Sequence, residues 1–387
     1  DGAAPEGMLS FEGLIDGVEE MPPIDKGGHE LAGLFYTGGT TGRSKGVMLS
    51  HRNLLLNAIQ FAGVAGFRAD TNYLHAAPMF HLANGAATFC IASMAGTSTI
   101  ITAFEPIATL EAMQNKRVSL VLLVPTMVNM VVNHPEAGNY DLSSLQDVLY
   151  GASPMPEAVI NKAMEVIPNA GFHQAYGQTE AGPVLTMLGP ERHVTDGPLA
   201  GKMKSAGQAI PGVEVCIVDE DDNEMPPDTV GEICGRGENV MLGYWNQTEM
   251  SAETLRNGWL HTGDGGRMDE DGFVYVVDRV KDMIISGGEN VYSAEVENAI
   301  YQHPGVAECA VIGIPHEKWG EQVHAIVRLK EGEAVDEGQI IGHCHEVIAN
   351  YKCPRSVEFH PEPLPLSGAG KILKTELRKP HWEGEEK

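Results

Sequence analysis

"LFYTGGTTGRSKGVMLSH", residues 34–51, is the stretch that decides the fold. Every residue from position 37 to 46 is glycine, a hydroxyl or a cation, and apolar residues close both sides. Such a run buries nothing. Glycines let backbone N–H groups crowd around an anion, hydroxyls add donors and Lys45 adds a positive charge, so a phosphate is the natural ligand. A flexible surface turn would have the same composition, and the rest of the chain has to separate the two readings. The Walker pattern needs its lysine to run into a helix through Ser or Thr. Here Ser44 precedes Lys45 and Gly46 opens an apolar strand-like run, which argues against a P-loop of that type.

The chain has 387 residues, enough for two or three domains at roughly 100–200 residues each. Its 53 acidic and 26 basic side chains give a net charge of −27, which argues against nucleic acid or an anionic membrane as the main partner. Any phosphate site must be basic only locally. Cys90, Cys216, Cys234, Cys309, Cys344 and Cys353 show no CxxC pairing, as expected of reduced thiols in a cytoplasm. The opening residues lack the charged start and apolar middle of an export signal. Residues 85–103 and 118–132 are apolar but interrupted, so they read as core helix and strand rather than membrane spans. His343, Cys344 and His345 are consecutive on an expected helix at 339–350, and their side chains therefore point to different faces, unlike a metal set.

The first thirty residues read as an irregular linking segment. Beyond them, strand-like runs at 31–36, 47–49, 100–103, 118–124, 147–150 and 171–175 alternate with helical spacing at 53–61 and 156–166. That alternation predicts an α/β fold with a largely parallel sheet. Residues 212–235 change to strand-turn-strand, the texture of an appended β-rich subdomain. After position 278 the glycine pair Gly287-Gly288, an expected N-cap at Ser293 and strands at 307–314 and 322–329 suggest a separate α+β unit of about 100 residues.

Three further clusters carry chemistry. Tyr176-Gly177-Gln178-Thr179-Glu180 follows an apolar run and suits a nucleotide: a ring for a purine, a hydroxyl near phosphate, a carboxylate for a hard cation. Taken alone it reads rather as a turn with a half-buried tyrosine. Asp264 lies in a glycine-flanked turn where its carboxylate can accept from two ribose hydroxyls, and Arg279 follows a strand. Lys371, after Gly368 and Gly370, sits on a pliable loop near the C-terminus.

In this order and spacing the four stretches resemble the adenylate-forming superfamily of acyl-CoA synthetases, peptide-synthetase adenylation domains and luciferases, over residues 31–379. The family's phosphate loop reads [YF]TSGTTGxPKG. Here it is Tyr36-Thr37-Gly38-Gly39-Thr40-Thr41-Gly42-Arg43-Ser44-Lys45-Gly46, with Gly38 for the usual Ser and Ser44 for the usual Pro. The resemblance implies residues 1–280 as the later part of a large N-terminal domain, its β subdomain at about 205–280, and 281–387 as a small mobile C-terminal domain. It also implies roles. Thr37, Gly38, Gly39, Thr40, Thr41, Gly42 and Lys45 would clamp the phosphates. Tyr176 and Gly177 would face adenine, with Gly151, Ala152 and Ser153 as the opposite wall. Gln178, Thr179 and Glu180 would serve the α-phosphate, Glu180 holding Mg²⁺; Asp264 and Arg279 would hold the ribose. Lys371 would be the catalytic lysine, Lys281 the hinge, and Gly287 and Gly288 the tunnel for coenzyme A.

The same resemblance implies a two-step reaction: ATP and a carboxylic acid give acyl-AMP and pyrophosphate, then CoA gives acyl-CoA and AMP. The acid is already an anion at neutral pH and needs no general base, so Lys45, Lys371 and Mg²⁺ would answer charge repulsion. Pro78-Met79-Phe80-His81 matches the family's aromatic gate, where amino-acid-activating relatives carry an Asp and this chain has His81. The substrate should lack an amine. His81, Ala83, Asn84, Gly85, Val124 and Pro125 would wall an apolar pocket for a fatty or similar acid. Relatives carry roughly 130–150 residues ahead of the phosphate loop, the size of a domain, where 36 precede it here. The chain is thus expected to be the later part of a longer protein, or to have that part supplied separately. A non-catalytic nucleotide-binding relative, loading of a carrier protein instead of CoA, and a homodimer stay open on sequence alone.

Overall fold

The computed structural model describes residues 7–22, 24–37, 44–279, 282–368 and 370–382. Among these, the largest sheet has seven strands in the spatial order Thr97–Ile100, Asn72–His75, Leu120–Leu123, Asp147–Gly151, Gly171–Gly177, Val184–Leu188, Gln208–Ala209. The first five run parallel, and the last two turn antiparallel. Parallel strands require crossovers, and helices such as Leu82–Met94, Pro106–Asn115, Pro125–Val132 and Glu157–Val166 occupy them. The central strand Leu120–Leu123 is buried at every position, which is why it reads as an unbroken apolar run.

The strand expected at 100–103 lies three residues earlier. Thr97–Ile100 pairs on one side only and is mostly exposed, so its sequence, TSTI, is polar and an apolar-run criterion overlooks it. Among the described residues before position 31 there is one short helix, Phe11–Ile15, with no buried residue.

The loop of the opening stretch joins two antiparallel strands, Leu31–Thr37 and Lys45–Ser50, and Gly243–Tyr244 pairs with the second to complete a three-stranded sheet. Ser50 then caps the helix His51–Val64: its hydroxyl accepts from the Asn53 N–H, and Asn53 Oδ1 accepts from the Ser50 N–H at 2.8 Å. A four-stranded antiparallel sheet, Val213–Val218, Gly231–Gly237, Leu260–Met268 and Val274–Arg279, stands beside the parallel one.

The C-terminal unit has its own sheet. Glu289–Val291, Ile284–Ser286, Gly320–Leu329 and Val306–His316 are antiparallel, and Ser356–Phe359 adds to Gly320–Leu329 in parallel. A separate core, including Ile284, Val296, Ile300, Val311, Val323, Ile340 and Cys344, fills the space under helices Ser293–Tyr301 and Glu337–Val347. Ser293 is not the N-cap; Tyr292 is, and the buried Ser293 hydroxyl accepts from Lys374 Nζ at 2.6 Å. On the later helix Cys344 enters the core, while His343 donates to the Ala299 carbonyl and His345 contacts Asn350, so the three diverge.

Candidate active site

Parallel strands bring their carboxyl ends to one edge of the sheet, and loops leaving that edge form the crevice where open α/β folds bind ligands. Val124, residues 151–153 and residues 176–180 all leave from it. Backbones crowd here. A Cβ on Gly151 would overlap the Ala175 carbonyl oxygen, and Ala152 takes a left-handed φ of 69°.

Tyr176 reaches from this edge to the four-stranded sheet, where its hydroxyl donates to Asp264 Oδ2 at 2.9 Å. Asp264 is held in the strand Leu260–Met268, and its backbone pairs in register with Arg279 of the next strand. Two sequence clusters 88 residues apart thus meet at one hydrogen bond. Thr179 and Glu180 form a single helical turn and are 8% and 7% exposed. The Tyr244 hydroxyl donates to Glu180 Oε1 at 2.8 Å, and Lys45 Nζ lies 5.1 Å from the centre of the Tyr244 ring. Burial and the Glu180 carboxylate both push the Tyr244 phenol well above its ordinary range, so it stays a donor. A carboxylate beside a hydroxyl is an oxygen-only donor set, which suits a hard cation.

The small domain closes over the same edge. The Thr126 hydroxyl donates to the Gly370 carbonyl at 2.7 Å, and a Cβ on Gly370 would meet Val124 at 3.1 Å. Asn129 donates to the Ala307 carbonyl and the Glu157 N–H to Asn298 Oδ1, both at 3.1 Å. Lys371 thereby comes close enough to act on His81, whose pKa is pushed down to about 4 by burial first and by the Lys371 charge second.

A family model described as AMP-binding enzyme matches residues 1–245, and one described as AMP-binding enzyme C-terminal domain matches residues 295–371. The chain belongs to the AMP-binding enzyme family. It is 41% identical over 370 residues to a feruloyl-CoA synthase of Amycolatopsis sp, covering 95% of this chain and 73% of that one. A medium/long-chain fatty-acid–CoA ligase, FadD8 of Mycobacterium tuberculosis, is 38% identical, covering 94% of this chain and 63% of its own length. Among solved structures, ATP-bound MatB from Rhodopseudomonas palustris superposes with a TM-score of 0.83 at 33% identity, over 93% of this chain and 70% of that one. Within this adenylate-forming family the chain falls in the CoA-ligase branch, whose AMP-forming reaction joins an acid to a thiol with ATP and CoA.

In this AMP-binding enzyme Thr37 and Lys45 pair in register at the mouth of the candidate phosphate loop. Gly38, Gly39, Thr40, Thr41, Gly42 and the hinge candidate Lys281 lie outside the described residues, and of Arg279 only the backbone is described. His81 caps the helix Leu82–Met94 by accepting from the Ala83 N–H. Ala83 is partly exposed beside it, and Val124 and Pro125 are buried. Asn84 is fully buried and spends both ends of its amide on packing: Oδ1 accepts from the Tyr73 hydroxyl at 2.7 Å and Nδ2 donates to the Ala77 carbonyl. A Cβ on Gly85 would meet the Met79 carbonyl at 2.6 Å, so this glycine serves backbone approach. Gln178 contributes an extended backbone before the turn. Gly287 and Gly288, both at positive φ, form a hairpin tip in which a Cβ on Gly287 would meet Trp319 at 2.6 Å. Tyr244 is the site residue that sequence reasoning missed. Its signal is weak, an aromatic after a glycine in a two-residue strand.

Among the described residues no helix is long and apolar enough to cross a membrane.

Proposed function

We propose that this chain activates an apolar carboxylic acid as its adenylate and passes the acyl group to CoA, with Lys371, Lys45, Thr179 and Glu180 as the chemical residues. The observation that carries the reading is the seating of the Gly370-Lys371 loop on Thr126 and Val124, at the edge from which Tyr176 and Glu180 also leave. That edge thereby receives a lysine more than 300 residues from Lys45 in the chain.

In the first step a carboxylate oxygen of the acid attacks the α-phosphorus of ATP and pyrophosphate leaves. Nothing needs deprotonating, so the work is alignment and charge. Lys371 would face the attacked phosphate, Lys45 with the loop amides would hold the departing pyrophosphate, and Asp264, aligned by Tyr176, would accept from the ribose hydroxyls. Thr179 and Glu180 would hold Mg²⁺, which when bound supplies positive charge to the phosphate oxygens. The Tyr244 hydroxyl keeps the Glu180 carboxylate oriented for that task.

In the second step the CoA thiolate attacks the acyl carbon and AMP leaves. Lys371 and the thiol would need the same space, so the small domain turns about Lys281 and offers the Gly287-Gly288 turn to the pantetheine arm. The domain division at about residue 280 belongs to this reading, as does a cytoplasmic location, in keeping with six buried free thiols. Support for an apolar acid comes from the walls at His81, Ala83, Val124 and Pro125. Relatives named for feruloyl-CoA, indoleacetate and medium/long-chain fatty acids are in keeping with that reading.

ATP–pyrophosphate exchange with a panel of aryl and alkyl acids tests this. Lys371→Ala should abolish exchange while thioester formation from supplied acyl-AMP persists. Equal loss of both halves would overturn the alternation, and no turnover with any acid despite ATP binding would overturn the ligase.

A further inference from the structure

We infer that the small domain carries a divalent-metal site, remote in chemistry from the adenylation crevice, made of His324, Glu358 and His381. His324 lies on the strand Gly320–Leu329, and the parallel neighbour Ser356–Phe359 pairs Ser356 with His324 and Glu358 with Ile326. With a side-chain period of two, His324, Ser356 and Glu358 share one face of the sheet. His381 arrives over that face from the turn Lys379–His381. Both imidazole Nε2 atoms stand 3.7 Å from Glu358 Oε2, and the three ligand atoms lie within 4.8 Å of one another. An ion about 2.1 Å from each of two ligands at a tetrahedral angle sets them about 3.4 Å apart. The two nitrogen–oxygen separations therefore need to close by only a few tenths of an ångström.

Proximity alone would not make a site; the state of His324 does. It is 6% exposed, and its Nε2 is buried with no hydrogen-bond partner. Its other ring nitrogen is engaged, Nδ1 lying 2.7 Å from Ser356 Oγ, which also accepts from Gln322. With Nδ1–H donating to that hydroxyl, Nε2 presents a lone pair toward Glu358, the arrangement by which a second partner orients a metal-binding histidine. A buried nitrogen left unsatisfied is costly, and an ion would satisfy it. Half-exposed Glu358 leaves a way in from solvent.

A second cluster, Glu232, Cys234 and His261, lacks this property. There His261 Nδ1 already meets Glu232 at 2.9 Å, Glu232 also accepts from the Gly263 N–H at 2.9 Å, and Arg256 stands 3.4 Å away. Its donors are satisfied and a cation is already present.

Two imidazoles and a carboxylate, completed by water as a fourth ligand, would suit Zn²⁺. Bound there, the ion would fasten the C-terminal turn to the sheet. The helix Lys374–Arg378 just before it begins three residues past Lys371 and seats Leu377 in a cluster with Ala310, Ile312 and Ile326. The ion would thus stiffen the platform of the lysine loop.

The test is calorimetric titration of the tag-free full chain with ZnCl₂, without nucleotide or Mg²⁺, and Co²⁺ substitution followed by its visible absorption. His381→Ala and Glu358→Gln are the variants, because both positions are partly exposed and tolerate replacement better than buried His324. One ion per chain, a tetrahedral Co²⁺ spectrum, at least about tenfold weaker binding in both variants and full binding in Cys234→Ser would support the site. Unchanged affinity in both variants, loss of the ion in Cys234→Ser, or no binding at micromolar Zn²⁺ would overturn it.

Discussion

Replacing Lys371 by Ala should move a histidine rather than only a rate. His81 titrates at about 4 against an ordinary value of 6.5, a fall of about 2.5, with burial the larger cause and the Lys371 charge the next. The lysine therefore accounts for less than half of the fall. Removing it relieves repulsion of the imidazolium, so the His81 midpoint should rise, by less than half of that fall. Lys371→Arg retains the charge and should leave the midpoint near 4. NMR titration of ring-¹⁵N histidine, with His81→Gln to assign the signal, reads this directly and needs no substrate. A midpoint unmoved by Lys371→Ala would mean that the lysine loop does not sit over His81 in solution. A rise well beyond one unit would mean that the pocket had opened to water.

Tyr244→Phe removes the donor to buried Glu180 Oε1; a hydrogen bond to a charged group contributes about 1.5–3 kcal/mol, so the urea midpoint should fall and the Mg²⁺ needed for half-maximal exchange should rise about tenfold. Unchanged Mg²⁺ dependence would separate Tyr244 from the cation. Gly151→Ala would force a Cβ into the Ala175 carbonyl, and an overpacked site of this kind costs about 1–3 kcal/mol, visible as a lowered unfolding midpoint with weakened AMP binding. Acid should weaken the fold early. His81 and His193 both titrate at about 4 when folded, so between pH 6.5 and 4 the unfolded chain binds more protons, and the stability present above pH 6.5 drains as pH falls. By pH 5 the loss is about 2 kcal/mol for each, and urea midpoints that match at pH 7 and pH 5 would refute it.

Asn72–His75, with polar residues at both ends, was missed, whereas Leu120–Leu123 was legible because burial on both faces leaves no polar residue to interrupt it. The edge strand Thr97–Ile100 was not, since exposure removes that constraint. The candidate residues Tyr176, Glu180, Asp264 and Lys371 stand in local motifs that sequence can name, but their partners are not legible there. The Tyr176–Asp264 bond joins two separate sheets and the Tyr244–Glu180 bond joins a strand to the helical turn Thr179–Ala181, across 88 and 64 residues, and no local pattern encodes such partners. Asn84 shows the reverse error. Its place after the gate motif suggested a pocket wall, whereas a buried amide with Tyr73 and Ala77 as partners belongs to the core. Ser293 likewise looked like a helix cap because its true partner, Lys374, lies 81 residues away.

The pairing of Gly243–Tyr244 with Lys45–Ser50 also has a consequence for how the protein is made. On the ribosome, the strand that anchors the phosphate loop emerges with one hydrogen-bonding edge open, and its partner follows nearly 200 residues later. At about 5–20 residues per second that edge waits roughly 10–40 seconds. For that interval Val47 and Leu49, later fully buried, belong to a nascent strand that another chain could zip onto. Slowing synthesis between these segments should therefore raise aggregation before it affects any property of the finished enzyme.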